Sequence, residues 1–343
     1  MKKFVLFFFI LSFFASCKQH PGIPDISNIK VDLRIQRFDR DFFHIDSNNV
    51  LPGLNQVHEK YPLLTSIFLQ NVLGLDSAST LAGVKNFLGS SQHLYDTVNR
   101  VFSDVNDLKD QFNKSFRYVK YYYPNYTIPV IATIAGPMDA LAQSDVGPTP
   151  DFLRPGLLGI SLQFYLGAHF SVYGDQFFID NVAPAYRSRR FSKEFIVADA
   201  MKLVVTDLFT DQSNGKPLVE QMIEKGKQWY LLDKFMPLTP DSIKTGFTKA
   251  QLDWCEENEG LIWSFIVKNE DLNSIDPTVV QTYIGEAPFT QGFSQDESPG
   301  NLGQWIGWRI LQKYVSKHPE MKPSEIMNTP ARKILEGAKY KPK

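Results

Sequence analysis

Cysteine is scarce in this chain, with two in 343 residues. One of them, Cys17, closes an N-terminal apolar run, so once it is consumed there only Cys255 remains. No internal disulfide can then form, and the fold has to rest on its hydrophobic core. An excess of one charge is also missing. Lys+Arg number 36 and Asp+Glu 37, a formal net charge of -1, which supplies no field for nucleic acid or for anionic lipid head groups. Long apolar runs are absent apart from Phe4 to Phe14, which falls well short of the ~20 residues a helix needs to cross a bilayer. Histidine is sparse too: His20, His44, His58, His93, His169 and His318 include no two that lie three or four residues apart. The H-E-x-x-H pattern of zinc hydrolases is therefore missing, since His58-Glu59 starts it but Lys60-Tyr61-Pro62 follows. A zinc site assembled from scattered residues stays open. There is no G-x-S-x-G elbow and no Gly-rich phosphate loop, which removes the usual bases for a serine hydrolase or an ATPase. Cys255 sits beside Glu256, a neighbour that raises a thiol's pKa, and reads as a packing residue.

What is present begins with Lys2 and Lys3, the apolar run, and then Ala15-Ser16-Cys17. This is the layout of a signal peptide ending in a lipobox: small residues admit the peptidase, and the thiol accepts the lipid. The expectation is a signal peptide over 1–16 and a membrane anchor through acylated Cys17. A single acyl chain would bind only marginally, so several are needed for stable attachment. A polar tether over 17–28 contains Pro21, Gly22 and Pro24. Residues 29–340 then read as one globular domain, for which a 43% hydrophobic and 13% aromatic composition is ample.

Along that domain, Val31, Leu33 and Ile35 alternate with polar residues, as in a half-buried edge strand. Residues 55–123 read as helical. Leu94, Val98, Val101, Val105, Leu108, Phe112, Phe116 and Val119 mark one face of a long helix that stops before Pro124. Ile128 to Ile134 and Leu157 to Leu166 are short apolar runs that read as buried strands. Helices are expected again from Ser192 to Phe209, Pro217 to Phe235, Thr248 to Lys268, Leu302 to Ser316, and after Ser324. Ser192 is expected as a cap, Pro217 as a first helical residue, and Thr248 with Gln251 as a capping box. Glu256, Glu257 and Glu259 read as a solvated face. The fold class is α+β: mostly helical, with a small β-sheet in the middle of the chain.

The densest stretch of special residues is Ile284 to Phe293 continuing through Ser298 to Arg309. It holds five glycines, two prolines, four aromatics and one isolated acid, Glu286. Two readings are open: a structured loop packed on the core, or a ligand or partner site. On the second, the candidates are Glu286, Phe289, Gly292, Gly303, Trp305, Gly307, Trp308 and Arg309, with Gly303 and Gly307 four apart to admit a close neighbour. No catalytic residue, metal ligand or cofactor is assigned.

The lipobox, Arg37-Phe38-Asp39-Arg40-Asp41-Phe42-Phe43, Gly159 to Gly167, and Ile284 to Gly292 with Ser298-Pro299-Gly300 and Gly303 to Trp308 together resemble the gliding-motility lipoprotein GldB family of the Bacteroidetes. The resemblance implies a cell-envelope lipoprotein that supports gliding motility and the associated secretion machinery, with protein partners there. By the same resemblance, Lys18-Gln19-His20 lacks the acidic run that directs some lipoproteins of the phylum to the cell surface, which implies a domain facing the periplasm. More distantly, the second half is similar in layout to predicted zinc peptidases. Ile223-Glu224-Lys225-Gly226 looks like their acidic helix and Gly303 to Gly307 like their last segment, but no histidine lies on the helix from Ser192 to Phe209. The resemblance thus implies a degenerate peptidase-like scaffold that works as a non-catalytic scaffold or binding component. An envelope hydrolase with a non-standard site is the alternative.

Overall fold

The structure is a computed structural model that describes residues 22–144, 147–269 and 272–342. Cys17, the signal peptide and the start of the tether lie outside the described residues. In chain order, β1 (Ile35–Gln36) precedes α1 (Phe38–Phe43), α2 (Val50–Lys60) and α3 (Pro62–Ile67), which runs into a π turn over Phe68–Val72. Then come α4 (Thr80–Val101), α5 (Asn106–Tyr122), β2 (Val130–Ile134), β3 (Ala142–Ser144), β4 (Gly147–Thr149), β5 (Phe152–Arg154) and β6 (Leu157–Ser161). The second half is helical: α6 (Gln176–Asn181), α7 (Ala185–Ser188), α8 (Ile196–Leu208), α9 (Leu218–Phe235), α10 (Asp241–Thr245), α11 (Lys249–Glu257) and α12 (Glu259–Asn269). It closes with α13 (Pro277–Ile284), α14 (Leu302–Lys317), α15 (Pro323–Asn328) and α16 (Ala331–Ala338). This is the expected α+β, mostly helical class.

The sheet has the order β1-β2-β6-β5, parallel from β1 to β6 and antiparallel between β6 and β5, while β3 and β4 form a separate hairpin. Pro155-Gly156 turns β5 into β6, and Gly156 takes φ +77, the left-handed backbone that the third residue of such a turn requires. Side chains alternate across the sheet. Ala132, Ile134 and Leu157 join a core built with Phe38, Phe42, Leu64, Phe68 and Val84 of the N-terminal helices. Ile131, Leu158 and Ile160 face a larger core with α5, α8, α9 and α14. The sheet is thus covered on both sides, and the apolar runs that looked like buried strands are those at its centre. The first strand is at an edge, as its alternation suggested, but only two residues pair.

Several boundaries differ from the sequence reading because backbone groups at them find other hydrogen-bond partners. The long helix breaks between α4 and α5. Arg37 Nη1 donates to the Phe102 carbonyl at 2.8 Å, and Asp104 Oδ1 accepts the Asn106 N–H at 2.8 Å, so backbone groups that would continue the helix have other partners. Asn258 divides the 248–268 helix, its amide donating to the Trp254 carbonyl. Ser192 makes no side-chain cap, and α8 starts at Ile196 after a 3-10 turn. Pro217 sits at the cap position of α9, not inside it. The first two amides of α9 are instead satisfied by the carbonyls of Ser274 and Leu272. The capping box of Thr248 and Gln251 is present.

Candidate functional site

α9 and α14 meet backbone to backbone. A Cβ added at Gly307 would lie 1.7 Å from the Met222 carbonyl oxygen, and one at Gly226 would lie 2.3 Å from the Trp308 nitrogen. Glycine on both helices is what permits the approach. The contact brings the first turn of α14 against α9, where Gln304 Nε2 donates to the Lys225 carbonyl at 3.0 Å. Asn301, just before α14, donates to Gln304 Oε1 at 2.6 Å and is held at φ 63, left-handed backbone that a non-glycine residue adopts only at a cost.

The candidates after Gly300 divide by this packing. Trp305 is buried, with the Arg309 guanidinium 5.7 Å from its ring centre. Gly303 is pressed against the Tyr283 carbonyl. Trp308 donates from Nε1 to Asp233 Oδ2 at 2.9 Å, and burial pushes that carboxyl upward in pKa. Arg309 makes a two-pronged contact with Glu259, at 3.0 and 2.9 Å, and Tyr340 donates to the same carboxylate. Glu259 is therefore an internal ion-pair partner and not part of a solvated face. Gly292 takes φ +93 beneath the Phe265 ring, and Phe289 lines a shallow surface depression with Gln281 and Gln291. Cys255 is fully buried, and burial, with the charge of Glu256, pushes its thiol pKa well up.

Glu286 alone among those candidates reaches a cleft of about 280 Å³ between the β3-β4 hairpin and the C-terminal helices. Its walls come from β4, α7 and the residues after it, α8, α9, the turn at Gly246 and the loop from 284 to 301. The loop is folded back on itself: Thr290 Oγ1 donates to the Pro299 carbonyl and accepts the Leu302 N–H, and a Cβ at Gly300 would meet the Ala287 carbonyl oxygen at 2.1 Å. Tyr186, Trp229, Phe247 and Pro299 give the cleft apolar surface, and Arg187, Arg189, Arg190, Lys202 and Lys225 give it cations. Gly246, at φ +79, leaves room for Arg190, whose Nη1 would stand 2.6 Å from an added Cβ.

Among the described residues two carboxylates line the cleft, and both face cations. Asp199 Oδ1 accepts from Lys202 at 2.9 Å, and Glu286 lies between Arg190 and Arg187. Lys225, which interrupts the acidic pair of the peptidase-like layout, is paired with Asp211, while Glu224 pairs with Lys216 and Lys227. Among the described residues no group of three His, Cys, Asp or Glu side chains is placed to hold a metal.

Behind the cleft runs a buried chain. Tyr165 donates to Asp151 Oδ2 at 2.7 Å and stands 3.5 Å from Asp199 Oδ2, and Asp151 Oδ1 accepts the Ser161 N–H at 3.0 Å. Complete burial, reinforced by the charge of Asp199, raises the Asp151 carboxyl to about 8, against the opposing pull of its two hydrogen bonds. Sequence reasoning missed both this acid and the arginine triplet. The triplet had a visible signal, Arg187-Ser188-Arg189-Arg190, whereas a lone Asp151 in a Pro-rich stretch had none.

No helix among the described residues is long and apolar enough to cross a membrane. No curated protein and no solved structure matches the chain. The family model for the gliding motility protein GldB does match, over residues 19–342, nearly the whole chain. The chain therefore belongs to the GldB family of gliding motility proteins.

Proposed function

We propose that this protein is a non-catalytic binding component of the gliding apparatus and its secretion machinery, anchored by lipid on Cys17 with the folded region facing the periplasm, and that the cleft is where it takes a partner. The observation that carries this reading is the cleft's lining. It is rich in guanidinium and amide groups beside aromatic walls, and among the described residues that line it there is no histidine and the two carboxylates are each held by cations. A hydrolase would need a general base or a metal-bound water at such a place. A binding site needs oriented donors and apolar surface, and those are what line the cleft.

The reading is tested in a gliding bacterium from which its own member of the family has been deleted. Wild-type chain restores spreading of colonies. Cys17→Ala fails because the protein is no longer tethered, and Arg190→Glu fails although the protein accumulates to normal levels. Spreading restored by Arg190→Glu would remove the cleft from the function. Hydrolysis of peptide or cell-wall substrates by the purified wild-type chain would overturn the non-catalytic assignment.

A further inference from the structure

The three arginines of the cleft are not equivalent. Arg189 is spent on the scaffold: Nε donates to the Tyr186 carbonyl at 3.0 Å, and Nη2 to the Gly246 carbonyl at 2.8 Å and to Gln251 Oε1 at 3.3 Å. Arg187, whose Nη2 also donates to the Pro148 carbonyl, and Arg190 converge on Glu286. Arg190 Nη2 donates to Oε1, and Arg187 Nε lies 3.2 Å from Oε2 without the alignment of a hydrogen bond. The Glu286 side chain is 42% exposed, against 13% for Arg187 and 23% for Arg190, so the carboxylate is the outermost member of the trio. An ion pair this exposed adds little to folding stability. Another carboxylate arriving from solvent could take its place on the same two guanidiniums, with charge and hydrogen-bond geometry conserved.

Two further side-chain atoms of the lining are buried and meet no hydrogen-bond partner among the described residues: Gln228 Nε2, a donor, and Asn301 Oδ1, an acceptor. Buried polar atoms are normally paired. A peptide unit carries the complementary C=O and N–H together, whereas a phosphate group presents chiefly acceptors and would leave Asn301 Oδ1 unmatched. Trp229, Phe247, Tyr186 and Pro299 supply apolar surface for the side chains of such a segment.

We infer that the cleft recognises an acidic peptide segment, whose carboxylate displaces Glu286 from Arg187 and Arg190 and whose backbone amide pairs with Gln228 and Asn301 once their side chains, closed off from solvent in this structure, turn toward it. Glu286 is then an internal occupant of the anion subsite, and binding is a competition between it and the incoming acid. The inference rests on the cleft being the partner site proposed above.

The test uses the full chain purified in detergent and two fluorescein-labelled peptides. One contains Glu-Ala-Pro-Phe, the sequence this chain itself presents at the subsite in Glu286-Ala287-Pro288-Phe289, and the other has glutamine in place of the glutamate. Removing the internal competitor by Glu286→Gln is expected to tighten binding of the acidic peptide by about tenfold, a change of 1.4 kcal/mol. The glutamine peptide should gain nothing, and Arg190→Gln in the same background should abolish the gain. Equal affinity of wild type and Glu286→Gln for the acidic peptide, equal binding of the two peptides, or no binding of either overturns the inference. So does displacement of the acidic peptide by inorganic phosphate as readily as by acetylglutamate. Failure here, combined with loss of spreading in Arg190→Glu, would leave the cleft as a partner site of different chemistry.

Discussion

Replacing Asp151 with asparagine should stabilise the protein at neutral pH. The carboxyl is completely buried and raised from 3.8 to about 8, burial being the main cause. A group whose folded pKa lies above its unfolded value favours folding fully below the unfolded pKa, and that stability is lost as pH rises through the folded one. The affected window therefore runs from roughly pH 4 to pH 8, and by neutral pH the loss is on the order of 4 kcal/mol at 1.36 kcal/mol per unit. Asparagine reproduces the neutral acid: its oxygen can accept the Ser161 N–H, and one amide N–H can donate to Tyr165, whose own proton is then available to Asp199. The second amide N–H has no assigned acceptor and costs about 1–3 kcal/mol. The net gain near neutral pH is thus about 1–3 kcal/mol, vanishing or reversing near pH 4. Urea unfolding of both chains across that range is the assay, with the wild-type midpoint expected to fall with pH more steeply than that of the variant. Parallel pH profiles, or a variant less stable than wild type at alkaline pH, would refute the reasoning.

Gly307→Ala forces apart two helix backbones that no side-chain rearrangement can relieve. It should cost about 3 kcal/mol, read as a clear fall in thermal midpoint, while an alanine at the exposed, uncrowded Gly89 costs nothing comparable. Trp308→Phe keeps most of the ring's packing but removes the 2.9 Å bond to Asp233, for an expected loss of about 1.5–3 kcal/mol in denaturant unfolding. Ionised Asp151 places a negative charge behind the cleft, so affinity for the acidic peptide should weaken as pH rises through about 8 in wild type and stay flatter in Asp151→Asn. Fluorescence anisotropy titrations at several pH values check this.

Much of the fold was legible because local patterns and tertiary packing agree. The apolar face of α5, the capping box at Thr248 and the short, mostly apolar runs of β2 and β6 each carry their own signal. The failures come where a distant group takes over a backbone atom. Nothing near Phe102 says that Arg37 will claim its carbonyl, so the periodicity from Leu94 to Val119 reads straight through a break. Gly303 and Gly307 announced a close approach, but not that Gly226 of α9 would supply the other half. The same holds for the cleft. Three arginines within four residues were in view, yet their meaning depends on Glu286, 96 positions from Arg190, folding back to meet them.

The two sides of the cleft are built differently, and the difference bears on how it would work. One side is carried by α9 and by Gln304 at the start of α14, held together by their glycine contact and by the Gln304 bond to the Lys225 carbonyl, so Gln228 and Lys225 are presented from a wall of two closely packed helices. Glu286 belongs instead to the loop from 284 to 301, which is pinned through Thr290 and Pro299 but leaves this side chain at the mouth. A wall of donors opposite a single replaceable acid separates affinity from access. Asn301 stands at the junction of the two, in left-handed backbone and bonded to Gln304, so any movement of the loop that releases Glu286 would be felt first at the residue whose side-chain Oδ1 meets no partner among the described residues.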